Sequence, residues 1–375
     1  MKLAALEKSH GDFHVPSFAV EIGGKDLVRD LFLAVTRIEV DLKSAAAGRF
    51  SFSVASAFDW EDRDFVARSG QQRVDLLDLF AFGGKVEVRL GYGDAARLAP
   101  MLTGFITEVS TSFAEGGSPE LTVSGYDVLY ALGANSPSRP PWENMADSGA
   151  VEAVAGEYNL SVRAEPTVPV RDSVGPFDES DLAFIRRLAG RNGRTFYVRG
   201  STLHFCRRHN DKSDVVELAW GEGLSSFSPS ANLGRQVGEV QVHGWSAEKG
   251  EAFVGRARRG EESGHEPSRQ SGGERIASAL TKAAGKAPML SIPAAAVRDQ
   301  AEADAIAKGL LEERAQGFVT GRAQCVGLPA IMPDVNVKLS GLGRAFSKVY
   351  YVTGAVHTVN GSGYRTSFDV EETVL

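Results

Sequence analysis

A chain of 375 residues is about two and a half times the ~150-residue size usual for one domain, so two or three hydrophobic cores are expected. Hydrophobic residues at 43% and charged residues at 24% exclude wholesale disorder, collagen-like and membrane-spanning classes. The 41 Lys plus Arg against 48 Asp plus Glu, a net charge of -7, argue against a generic binder of nucleic acid or anionic membrane.

In chain order, Met1 to His10 is interrupted by charge before an apolar run reaches signal-peptide length. No later run approaches ~18 apolar residues, so neither export nor a membrane anchor is expected. The first third then reads as strands at Val15 to Ile22, Val35 to Leu42, Phe50 to Ala55, Lys85 to Leu90, Phe105 to Val109 and Glu120 to Gly125. Lys85 to Leu90 alternates charged and apolar residues, the mark of a half-exposed strand, and Gly91-Tyr92-Gly93-Asp94 after it predicts a tight turn. Ala150 to Tyr158 suits a short helix. Asp178-Glu179-Ser180-Asp181 is an acidic helix start before Leu182, Phe184, Ile185, Leu188 and Ala189, which share one helical face, and Asn192-Gly193 is its stop. Strands resume at Thr195 to Val198, Leu203 to Cys206 and Glu239 to Trp245. Arg256 to Arg275 is polar and glycine-rich enough for an exposed loop, and Asp299 to Gln316 reads as a helix with Ala303, Ile306, Ala307 and Leu310 inward.

The sequence also resembles itself. Lys85 to Gly93, with Val86, Val88 and Leu90 at alternate positions, recurs as Asp334 to Gly343 with Val335, Val337 and Leu339. Thr103-Gly104 and Thr353-Gly354 open a second matching strand, and Thr103 and Thr353, like Val109 and Val359, stand 250 residues apart. A third strand follows each copy, near Leu121 and near Arg365. Alternating Val fills a sheet face, and Gly in the second strand permits a bend or a close backbone approach. Two related β domains flanking a helical middle are the expectation, and copies of such a chain around an axis present twice as many equivalent edges as chains.

Catalytic motifs are missing. There is no Gly-x-Ser-x-Gly, His-Glu-x-x-His or phosphate loop, and the Gly-x-Gly pairs lack the third glycine of a dinucleotide fingerprint. His204-x-Cys206-x-x-His209 could hold zinc, yet Leu203 and Phe205 alternate with His204 and Cys206 as on a strand and no second ligand pair follows. His243 and His357 lie in strand patterns, as sheet histidines do. Cys206 and Cys325, far apart, make no disulfide framework and suit a reducing cytoplasm. No catalytic, metal or cofactor-binding residue is expected and no cofactor. The alternative functions are a cell-wall-degrading enzyme, which needs a carboxylate or histidine site, and a glycan-binding module, which needs clustered aromatics; Trp60, Trp142, Trp220 and Trp245 are scattered in sequence.

Phe177 to Ala189, carrying Glu179, Ser180, Asp181, Leu182, Phe184, Ile185 and Leu188, followed by Gly193, resembles the E-S-D-L-x-F-I-x-R-L-A-x-x-x-G signature of the phage late control D proteins. These are tail baseplate hubs, and the same module forms the N-terminal hub part of VgrG spikes. The Gly-Tyr-Gly, Thr-Gly-Phe-Ile-Thr-Glu-Val and Ser-Gly-Tyr-Asp-Val-Leu segments before it, and Gly244-Trp245 and Tyr350 to Thr366 after it, match in order, so the resemblance spans nearly the whole chain. It implies a mainly β, α+β chain with two related tube-type β-barrel domains flanking a smaller helical and mixed region: 1–135 the first barrel, 136–195 the middle domain, 196–250 with 318–375 the second barrel, and 251–317 an exposed loop plus helix insertion. It further implies a homotrimer whose six barrels adapt a sixfold inner tube, or its tube-initiator protein, to a threefold spike in a contractile tail or injection particle assembled in the bacterial cytoplasm. Because the sequence stops soon after the second repeat, the spike is expected as a separate protein, with baseplate wedge proteins as further partners. Neither a membrane anchor nor specific nucleic-acid binding is implied. The net charge adds the expectation of an acidic channel wall past which anionic cargo slides.

Overall fold

A computed structural model describes residues 13, 15–69, 72–113, 115, 117–209, 213–246, 250–262, 269–293, 297 and 299–375. The expectation for Met1 to His10 lies outside the described residues, as does part of the loop expected at 256–275.

The first unit comprises β1 (Pro16–Ile22), β2 (Lys25–Asp26), β3 (Ala34–Lys43), β4 (Arg49–Ala55), β5 (Phe58–Asp59), β6 (Asp64–Ser69), β7 (Gln72–Asp75), α1 (Leu76–Leu79), β8 (Lys85–Tyr92), β9 (Ala99–Ser112) and β10 (Glu120–Tyr126). Strands pair in the order β1-β8-β9-β10-β4-β3, all antiparallel, while β5, β6 and β7 form a separate arm. In β4 every second residue, Phe50, Phe52 and Val54, is fully buried, and Val86, Val88 and Leu90 of β8 do the same. Each such side chain stabilises the fold by roughly 1.5–3 kcal/mol of apolar burial. The turn expected at Gly91-Tyr92 is displaced: β8 runs on through Tyr92 because β1 pairs with it there, and the reversal begins at Gly93, whose φ is +70°.

The middle unit follows: α2 (Val128–Ala134), β11 (Trp142–Met145), α3 (Asp147–Glu157), β12 (Ser161–Ala164), β13 (Arg171–Val174), α4 (Asp181–Arg191), β14 (Thr195–Arg199) and β15 (Thr202–Cys206). Phe184, Ile185, Leu188 and Ala189 of α4 meet Val151 and Val154 of α3 and Phe196, Leu203 and Phe205 in one core. Across the boundary expected at 195/196, β14 and β15 pair with β12 and share the core of the helices.

Next come β16 (Asp214–Trp220), β17 (Gly223–Ala231), β18 (Glu239–Ser246), β19 (Glu251–Arg258), α5 (Gly272–Ala284), β20 (Met289–Pro293) and α6 (Gln300–Gln316). β18, β19 and β20 form their own three-stranded sheet, on which Ala307 and Leu311 of α6 pack. Where an exposed loop plus helix is expected at 251–317, the described residues form β19, β20 and two helices, and β18, expected in the second barrel, pairs with β19 and β20. The α6 stripe is Ala303, Ala307, Leu311 and Ala315, with Ile306 and Leu310 half-buried at its margin.

The chain closes with β21 (Val319–Val326), β22 (Asn336–Ser340), α7 (Gly343–Phe346), β23 (Lys348–Asn360) and β24 (Gly363–Glu372). The pairings β23-β22-β16-β17-β21-β24, with β24 returning to β23, make a closed ring. It surrounds Val216, Leu218, Phe318, Val337, Tyr350, Val352 and Phe368. Along 354–360, β23 pairs on its other edge with 37–43 of β3, so one continuous sheet runs through both β units.

Candidate assembly interface

Each repeat segment takes the same course: a strand, an eight-residue link with one helical turn, and a long strand that first pairs backward and then forward. Leu90 opposes Ala99 across the first link and Leu339 opposes Lys348 across the second. β9 pairs with β8 through 99–105 and with β10 through 105–112; β23 pairs with β22 through 348–351 and with β24 through 351–360. Both long strands carry a bulge against their third strand, at Thr107 and at Thr353. The Thr-Gly pairs occupy different ladder positions. Thr103 and Gly104 oppose Glu87 and Val86, and a Cβ on Gly104 would lie 2.3 Å from the Tyr126 carbonyl oxygen, the close approach that glycine permits. Gly354 lies between Asp369 and Lys43.

The signature helix is a polar clamp around an apolar face. Ser180 caps α4 by accepting the Ala183 N–H at 3.2 Å. Asp181, fully buried, accepts from Tyr158 Oη at 2.7 Å and from Arg139 at 3.0 Å. Glu179 accepts from Arg187 Nε at 2.9 Å, while that guanidinium covers the exposed Phe177 ring at 4.8 Å. Leu182, half-buried, packs at the edge of the core, and Gly193 terminates the helix with φ +59°. Just beyond, Arg191 and Asn192 both reach the buried Asp147 carboxylate, and Arg171 bridges it to Glu302 on α6. Arg186 donates to the Ala45 carbonyl at 2.8 Å, tying the helix to the first unit.

Two buried polar side chains near the join of the two β units, His357 and Tyr92, are closely hydrogen-bonded. His357 Nε2 donates to the Ile331 carbonyl at 3.0 Å, its Nδ1 accepts from Tyr364 Oη at 2.9 Å, and Thr366 Oγ1 lies 3.1 Å from the same nitrogen. Burial lowers its pKa to about 4. Tyr92 Oη of the first unit donates to the Gly327 carbonyl of the second at 2.9 Å. Val335 is half-buried against the second core beside Asp334, a buried carboxylate with φ +65° that accepts from Tyr351 Oη and the His209 N–H, each at 3.1 Å. Cys206 Sγ stands 3.7 Å from the same carboxylate. The structure thus brings two members of the His204-Cys206-His209 run onto Asp334, while His204 stacks on Tyr197 at 4.9 Å. Among the described residues no group of His, Cys, Asp and Glu has metal-holding geometry. Burial and Asp334 push the Cys206 thiol up to about 12, and burial alone raises that of Cys325, so both stay protonated at neutral pH. His243 is an exposed residue of β18.

Sequence reading missed two surface features. Phe58 contacts Trp60 at 5.2 Å, Phe65 at 5.2 Å and Phe113 at 5.7 Å, joining the β5–β7 arm to the tip of β9, and Trp60 and Phe113 are about two-thirds exposed. Nothing in the spacing of residues 58, 60, 65 and 113 foretells that contact. Helix α5 was the second, its start expected as loop, although the Ser271 and Glu274 capping box ahead of it is a signal that could have found it. Among the described residues, no helix is long and apolar enough to cross a membrane.

Comparison with known proteins places this geometry. Residues 48–361 match the family described as the Alg8 N-terminal domain. No curated protein matches the chain. A tail protein from Neisseria meningitidis MC58 is similar over 96% of this chain and 97% of its own, with TM-score 0.68 and 15% identity. The 43 kDa tail protein of prophage MuSo2 from Shewanella oneidensis aligns over 95% and 98%, with TM-score 0.65 and 14% identity. A type VI secretion component from E. coli, described as structurally similar to bacteriophage T4 tail proteins, covers 94% of this chain and 76% of its own at TM-score 0.53 and 13% identity. At these identities the likeness is one of fold, and that fold is the mainly β fold of tail proteins.

Proposed function

The chain belongs to the Alg8 N-terminal domain family, and from that premise and its tail-protein fold we propose that it is a structural hub of a contractile tail or related injection particle, working as a trimer between tube and spike. The observation that carries this reading is the β3–β23 pairing. It joins two units of similar course edge to edge within one chain, and the matching edges elsewhere are open. Among the described residues, β9 beyond Thr107 is paired only with β10, and β17 beyond Leu224 only with β21. An open edge exposes a row of N–H and C=O groups that another copy can pair with, so three chains repeating the internal seam would close a ring of six units. The late control D resemblance of α4 and the tail proteins with the same fold support this reading, and on it the partners are an inner tube protein and a spike protein. The two β units and the middle unit are proposed as the three domains, with the limits set by their cores.

Light scattering on the purified chain tests the trimer. The expected mass is about 120 kDa, three times 40.1 kDa, with hydrogen exchange slowed at amides 107–112, 225–228, 230 and 231 as concentration rises. A 40 kDa species at tens of micromolar, with those amides exchanging freely and no capture of tube or spike proteins, would count decisively against it.

A further inference from the structure

Between the end of α4, the last turn of α6 and strands β21 and β23 lies a cleft of about 610 Å³. Four arginines line it, Arg194, Arg208, Arg235 and Arg314, against two carboxylates, Glu313 and Glu371, in a chain whose overall charge is -7. Arg208 is already committed: it bonds Glu371 at 2.7 Å and lies 3.9 Å above the Tyr351 ring. Arg235 and Arg314 are not, and Arg194 is so only in part. Arg194 is held just past α4, its side chain only 7% exposed; one terminal nitrogen is 3.4 Å from the half-exposed Glu165 and another donates to the Pro166 carbonyl, but Nε has no hydrogen-bond partner. Burial lowers the pKa of this guanidinium, while Glu165 and Glu312 act to raise it. Arg314 likewise has a buried Nε without a partner. Neither Arg235 nor Arg314 makes an ion pair among the described residues.

The cleft carries more guanidinium than carboxylate charge, and two of its arginines make no ion pair among the described residues, so an oxyanion matches both its charge and the N–H geometry of its arginines. We propose that this cleft is an oxyanion site, taking a carboxylate or phosphate group between Arg194, Arg235 and Arg314. The proposal stands apart from the hub reading, since it needs only one chain. A free anion and the acidic side chains of a peptide offer the same chemistry, and two probes tell these sources apart: sodium phosphate and tetraglutamate, each titrated at constant ionic strength against sodium chloride while the melting temperature is followed.

The expected result is a saturable rise with at least one probe; phosphate alone identifies a free-anion site and tetraglutamate an acidic-peptide site. In R235Q/R314Q, where buried Arg194 is left in place so that the chain folds, affinity should fall at least about tenfold, roughly 1.4 kcal/mol. The control K25Q/R97Q removes the same charge from exposed positions outside the cleft and should bind as the unmodified chain does. No saturable shift with either probe, or equal binding by R235Q/R314Q, overturns the assignment.

Discussion

Replacing His357 by glutamine tests whether the seam between the two β units depends on a neutral imidazole. His357 is wholly buried, and its pKa is lowered to about 4 from 6.5. Because the unfolded chain takes up the proton more readily than the folded one, stability rises with pH between these values. There is no penalty above about pH 6.5. It grows as pH falls, reaches roughly 2 kcal/mol at pH 5, and levels near 3 kcal/mol below pH 4, at about 1.36 kcal/mol per pKa unit. Asp127 works in the opposite direction: burial raises its pKa to about 7 against the lowering effect of the Gly48 and Leu129 amides, so its contribution favours the folded state at low pH and is lost as pH rises through 7. The histidine is therefore isolated only by the difference between the unmodified chain and H357Q. At pH 7.5, H357Q should be less stable by about 1–2 kcal/mol, because Tyr364, Thr366 and the Ile331 carbonyl lose part of their bonding. At pH 5 the two should be nearly equal, as the unmodified chain has lost about that much. Urea titrations followed by fluorescence at the two pH values measure this. A difference that does not change with pH refutes the neutral-histidine account.

Three further outcomes follow from the packing. D181A leaves the mostly buried Arg139 facing only the exposed Glu157 and should cost about 3–5 kcal/mol in urea unfolding, whereas E157A should cost about 0.5 kcal/mol or less; equal costs would remove Asp181 from the role given to it. G125A should yield little soluble protein, since its Cβ would lie 2.0 Å from the Phe105 carbonyl oxygen and 2.7 Å from the Phe50 ring, an overpacking of about 3 kcal/mol or more. G156A, at an exposed position of α3 with nothing within 4 Å of the added carbon, should instead raise stability by about 0.5–1 kcal/mol, read from the same titration.

What the residues determined by themselves is local. Alternating Val and Phe settled which face of β4 and β8 is buried, and the Ser180 cap with Phe184, Ile185 and Leu188 settled the bounds and inner face of α4, because these depend only on a period and a terminus. The repeated order of strand, glycine turn and long strand was visible for the same reason. Which face meets which was decided only in three dimensions. A strand pattern says that one side is apolar, not whose core it joins, so β14 and β15 went to the helices and β18 to a sheet of its own. The β3–β23 seam, the Asp334 contacts of Cys206 and His209, and the arginine cleft each assemble residues more than a hundred positions apart. Such pairings rest on the competition among many apolar faces and edges for burial, a sum over the whole chain that no single window of sequence contains.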